Sequence, residues 1–81
     1  MTATIRLGAS LKVLLGGKGE FTIEPGRSVR ETLVSLNIKP ELVALVSVNS
    51  PNSGVGDEQQ SKDYVIQEGD VIRVLAVIGG G

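Results

Sequence analysis

The sequence predicts an α+β fold: a sheet of about four to five strands with one main helix packed on one face. Three observations predict it. Short segments alternate polar and apolar residues on either side of glycine-rich turns. One segment, 28–37, carries a helical period with a start and a stop signal. The run Val71 to Ile78 is apolar on nearly both faces, as suits a strand in the middle of a sheet. With 81 residues the chain makes one small domain. The expected division is a folded body over 1–78 and a flexible glycine tail over 79–81.

The elements follow in order. Thr4-Ile5-Arg6-Leu7 alternates and reads as a strand. Leu11 to Leu15 is apolar apart from Lys12 and leads into the turn cluster Gly16-Gly17-Lys18-Gly19. Glu20 to Glu24 alternates again, with Phe21 and Ile23 on one face. These two strands are expected to form an antiparallel hairpin, with irregular structure over 8–19. Pro25-Gly26 ends the second strand. Ser28 and Glu31 then have the spacing of a capping box. Val29, Thr32, Leu33 and Leu36 fall at i, i+3, i+4 and i+7, one apolar stripe of a helix that should stop at Asn37, ahead of Pro40.

Leu42 to Val48 is rich in β-branched residues and reads as a mostly buried strand. Ser50 to Lys62 is polar, with Pro51, Gly54 and Gly56, and reads as the longest loop, with a short helical turn near 57–62. Tyr64-Val65-Ile66 reads as a short strand, Glu68-Gly69-Asp70 as a tight turn, and Val71 to Ile78 as the last strand. One helix covers one sheet face, which leaves the other face uncovered. On the last strand Ile72, Val74 and Ala76 lie on one side, and Arg73 and Leu75 on the other. One set is expected to be partly exposed, and a partner-docking patch drawn from Ile72, Val74, Leu75 and Ala76 is the candidate surface.

Composition removes several function classes. Phe21 and Tyr64 are the only aromatic residues, so the core must be built from Val, Leu and Ile. The formal net charge of −1 comes with no basic block, which argues against nucleic-acid binding through phosphates. Stacking platforms for single strands are absent as well. There is no cysteine and no histidine, so the thiolate nucleophile and the commonest general base and zinc ligand are missing. Neither a catalytic centre nor a metal site is expected. The start of the chain lacks a signal-peptide pattern, and its longest apolar run is interrupted by Arg73, far short of the roughly 20 residues a membrane helix needs. The expectation is a cytoplasmic protein with no membrane partner.

Local motifs have bland readings. Gly16-Gly17-Lys18-Gly19 lacks the first glycine and the Ser/Thr of a phosphate-binding loop, and is taken as a turn. Asp57-Glu58 and the lysines Lys12, Lys18, Lys39 and Lys62 are taken as solvated surface. The exception is Gly79-Gly80-Gly81. By average composition, three glycines at a set position arise by chance roughly once in 3,000. They add little to a fold, but they can thread a narrow channel and deliver the carboxylate of Gly81 there.

The whole pattern resembles the ubiquitin-like sulfur carriers, the MoaD and ThiS family. The residues that carry it are Gly69-Asp70-Val71 ahead of the last strand and the final Gly80-Gly81. Pro25-Gly26 before the helix and Val46-Ser47-Val48-Asn49 add support. The ending Val77 to Gly81, with no proline before the glycines, looks more like ThiS. The 8–19 segment and the Arg6-Leu7 strand look more like MoaD, and the balance leans to ThiS. Gly79 is one glycine more than the usual pair.

The resemblance implies a β-grasp fold with a mixed sheet, and a protein co-substrate rather than an enzyme, or a non-catalytic small subunit of a synthase. It implies that Gly81 is the adenylation and thiocarboxylate site and that Gly79 and Gly80 thread the partner's active site. The implied partners are a ubiquitin-activating-type adenylating enzyme and a sulfur-accepting synthase, either thiazole synthase or the large subunit of molybdopterin synthase. ATP and a sulfur donor are used by those partners, and no cofactor is bound tightly by the chain. Relatives also serve as protein modifiers joined through the final glycine, or in sulfur transfer to tRNA. A β-grasp interaction module with an incidental tail is the further alternative.

Overall fold

The computed structural model describes residues 1–51, 54 and 56–76. Five strands form one mixed sheet: β1 (Ala3–Leu7), β2 (Glu20–Ile23), β3 (Val43–Asn49), β4 (Asp57–Gln60) and β5 (Val71–Ala76). Their order across the sheet is β2-β1-β5-β3-β4. β1 runs parallel to β5, and every other neighbouring pair is antiparallel. β5 is therefore central, as its two-sided apolar pattern predicts. Two short helices, α1 (Ala9–Leu14) and α2 (Val29–Ser35), and a 3-10 turn (Pro40–Leu42) complete the described elements.

α2 forms where its sequence signals place it. Ser28 Oγ accepts from the Glu31 N–H, and the Ser28 N–H donates to the Glu31 carboxylate, closing the capping box. The other two donors of the first turn are met from a distance: Val29 N–H donates to the carbonyl of Tyr64, and Arg30 N–H to that of Lys62. The helix ends in a Schellman motif. Asn37 takes a left-handed φ of 63°. Its N–H reaches the carbonyl of Val34, and the Ile38 N–H reaches that of Leu33. Val29, Thr32 and Leu33 are buried, as the stripe predicts.

The core lies between α2 and one sheet face. Ile5 and Leu7 from β1, Val46 and Val48 from β3, and Ile72 and Val74 from β5 meet Val29, Leu33, Ile38, Leu11 and Ile66. All are aliphatic. Each Leu or Ile buried there contributes about 1.5–3 kcal/mol by removal from water.

Four sequence expectations change. The segment 57–62 is not a helical turn: residues 57–60 form β4, paired from Asp57 against Asn49 to Gln60 against Val46. Tyr64 to Ile66 is not a strand; Val65 makes one isolated bridge to Ser28. The backbone there is committed instead to α2 and its approach, with Ile66 N–H on Arg27 O and Gly26 N–H on Ile66 O. The 8–19 connection is not irregular throughout, because α1 occupies 9–14 and turns Leu11 into the core. Leu42 belongs to the 3-10 turn, and β3 starts at Val43.

Gly16 and Gly17, both with positive φ, reverse the chain after α1 and bring it to β2. β1 and β2 thus pair in antiparallel fashion, as expected, with a helix inserted in their connection. Lys18 Nζ lies 4.8 Å above the centre of the Phe21 ring. This architecture is β-grasp-like: a mixed five-stranded sheet with one main helix across it.

Candidate functional site

The candidate site lies where β5 runs out toward the glycines. Ala76, its last described residue, pairs with Val43, the first residue of β3. Gly79, Gly80 and Gly81 lie outside the described residues, as do Val77 and Ile78. Of the four candidate docking residues, Ile72 and Val74 have no exposed surface. They point into the core under α2, so neither has surface to offer a partner. Ala76 is half-buried against that core. Leu75 is on the opposite sheet face and keeps 47% of its surface exposed. Of the two sets on β5, then, the outward one carries the open apolar residue.

Leu75 sits in a defined setting. It pairs across the sheet with Leu45 of β3. On its other side the chain leaves β1 through Gly8, whose N–H donates to Val74 O at 2.9 Å. A Cβ placed on Gly8 would come within 2.9 Å of Leu75 Cδ2, so the glycine lets this leucine lie flat on the backbone. α1 packs on β5 and β1 at this end, with Val13 and Leu14 exposed to solvent. Further along the outward face the surface turns charged. Arg6 and Arg73 stand in register, each neutralised by a carboxylate: Arg6 Nε to Glu20 at 2.9 Å and Arg73 Nη1 to Asp57 at 3.7 Å.

At the other end of β5 a buried polar cluster fixes the strand's start. Asp70 is 1% exposed. Its carboxylate accepts from Ser50 Oγ at 2.5 Å, Tyr64 Oη at 2.6 Å and the Gln67 N–H at 2.9 Å. Its own carbonyl accepts from the Thr4 N–H, which ties the turn to β1. Burial, reinforced by the hydrogen bond and the charge of Asp70, raises the Tyr64 phenol above the ordinary tyrosine pKa. Gly69 has a φ of +81°, and a Cβ there would come within 2.9 Å of the Pro51 ring. The sequence predicts no more for Asp70 than a place in a turn, and for Tyr64 a place in a strand. The available signal was a Gly-Asp turn close to the chain's only tyrosine.

Among the described residues no three acidic side chains gather to hold a metal ion. No described helix is long and apolar enough to cross a membrane. No protein-family model matches the chain. No curated protein matches it.

Proposed function

We propose that the chain is a sulfur carrier of the ubiquitin-like kind, acting through the carboxylate of Gly81. The observation that carries this reading is the central place of β5 in a β-grasp-like sheet, with three glycines following three residues after Ala76. A strand held between β1 and β3 is a firm mount for a segment that must be presented to another protein. Glycines without side chains let an acyl carbon approach a nucleotide in a narrow channel.

A carboxylate is a poor electrophile, because its negative charge is shared by two oxygens. Attack of that carboxylate on the α-phosphate of ATP gives an acyl-adenylate and releases pyrophosphate. A hydrosulfide-type nucleophile then attacks the acyl carbon, displaces AMP and loses its proton, leaving a thiocarboxylate. The chain has neither Cys nor His, so the partner supplies nucleophile and base. The role of the chain is docking, for which Leu75 is the exposed apolar residue that β5 offers, and delivery of the acyl end. The sulfur acceptor is then a synthase of the thiamin-thiazole or molybdopterin kind.

The test is intact mass. The protein is incubated with ATP, sulfide and a ubiquitin-activating-type adenylating enzyme from the same source. The expected product is heavier by one sulfur-for-oxygen exchange, and the mass before reaction must correspond to a chain ending at Gly81. An unchanged mass contradicts the reading.

A further inference from the structure

Gly8 is a glycine that its own backbone does not require. Six other described glycines take a positive φ, a conformation that side chains resist. Gly8 has φ −65° and ψ 166°, an extended conformation open to any residue. It is also the N-cap of α1, where the side chain of Ser, Thr, Asp or Asn would bond to the first turn. A helix of six residues forgoes that bond here. A glycine also loses more chain entropy on ordering than any other residue. Local structure therefore gives no reason for glycine at this position.

The reason lies across the sheet. The Gly8 N–H donates to Val74 O at 2.9 Å, which holds Gly8 beside β5 immediately before Leu75. A Cβ on Gly8 would stand 2.9 Å from Leu75 Cδ2, well inside the contact distance of two carbons. The nearest backbone atoms, Val74 O and Leu75 Cα, would be 3.4 and 3.7 Å away, at ordinary contact. The severe clash is thus with the far end of one side chain. Leu45 of β3 flanks Leu75 in register, and the bare backbone of Gly8 is where the Leu75 methyl rests. Leu75 keeps 47% of its surface exposed, so it has open solvent to swing into once that place is filled. A methyl group at position 8 therefore moves the leucine and spares the fold.

We propose that Gly8 is a positioning residue for docking: it holds Leu75 down on the outward sheet face, in the orientation that the adenylating partner receives. This rests on the carrier reading above and adds the residue that sets the shape of the surface the partner meets. The side chain moves while the bond from Gly8 to Val74 and the strand stay in place. The effect of filling position 8 therefore falls on recognition of the chain and not on delivery of its acyl end.

The experiment is ATP–pyrophosphate exchange by the adenylating enzyme from the same source, at saturating ATP and varied concentration of the full chain or its variants. G8A should raise the KM for the chain about fivefold with kcat unchanged, the scale of an interface side chain that matters when altered. L75A should raise it at least as much. The G8A/L75A double variant should match L75A, because Gly8 acts only through the leucine. G26A, strained in φ but with open space at its Cβ position, controls for a glycine-to-alanine change elsewhere and should leave the KM unchanged. The Leu75 δ-methyl carbon shifts in NMR, which report its rotamer, should change in G8A and not in G26A. Exchange with the unaltered chain but an equal KM for G8A, unmoved Leu75 methyl shifts in G8A, or effects of G8A and L75A that multiply would each overturn the role of Gly8 and leave the carrier reading standing. No exchange with the unaltered chain would overturn the carrier reading and this role with it.

Discussion

The phenol of Tyr64 donates to Asp70 Oδ2 across 2.6 Å, and this bond joins the segment that caps α2 to the turn that starts the central strand. Helix, turn and β5 therefore share one buried polar anchor. Its consequences for titration are direct. Burial and the neighbouring carboxylate raise the Tyr64 pKa in the folded state. The stabilisation linked to it is complete below the unfolded value of about 10 and is lost as pH rises through the folded value. With one tyrosine and no tryptophan, ultraviolet absorbance reads this group alone. The midpoint should lie above that of the unfolded chain in denaturant, and D70N should bring it down.

Removing the acceptor should be costly. D70A leaves the Ser50 and Tyr64 hydroxyls and the Gln67 N–H without their shared partner. The expected loss is about 2–4 kcal/mol in urea unfolding, while Y64F loses about 1–2 kcal/mol. The double variant should lose less than the sum of the two, because both changes break the same bond.

Two glycines with similar backbone angles should respond differently to alanine. Gly26 has a φ of +96° with open space where a Cβ would stand, so G26A meets only conformational strain, about 1 kcal/mol. Gly69 combines a left-handed φ with the Pro51 ring in the way, so G69A should lose more. Adding P51A should recover part of the G69A loss and none of the G26A loss in thermal unfolding.

Ser28 is one of several partners for the α2 N-terminus. S28A removes the acceptor for the Glu31 N–H but leaves Val29 and Arg30 bonded to the carbonyls of Tyr64 and Lys62. Its cost should sit at the low end for a cap, about 0.5–1 kcal/mol by chemical denaturation.

Surface and core on β5 should separate cleanly. I72A opens a cavity under α2 and should lose about 2–4 kcal/mol. L75D alters an outward, half-open residue and should change stability by less than about 1 kcal/mol. In the proposed carrier role it is L75D that should slow adenylation by the partner, measured at saturating ATP.

Much of this fold was legible in the chain because its regular parts carry strong periods. The 3.6-residue stripe and capping box around Ser28 locate α2, and two-residue alternation locates β1 and β2. β4 escaped because Asp57-Glu58-Gln59-Gln60 is polar throughout. An edge strand held by backbone pairing needs no apolar face. α1 escaped because it has six residues and Gly8 at its start offers no capping side chain. Tyr64-Val65-Ile66 has the composition of a strand, yet its backbone groups are drawn to the first turn of α2, a demand no local pattern announces. For the candidate site, alternation separated the two faces of β5 correctly, but burial under α2 decided which face was open. The Asp70 cluster joins residues 20 positions apart, beyond any local period.

The central claim concerns the acyl end of Gly81, and ATP–pyrophosphate exchange by the adenylating partner tests it most directly. The full chain should stimulate exchange, and a chain lacking Gly81 should not, while the two unfold at the same temperature. Equal exchange with the shortened chain would contradict the account.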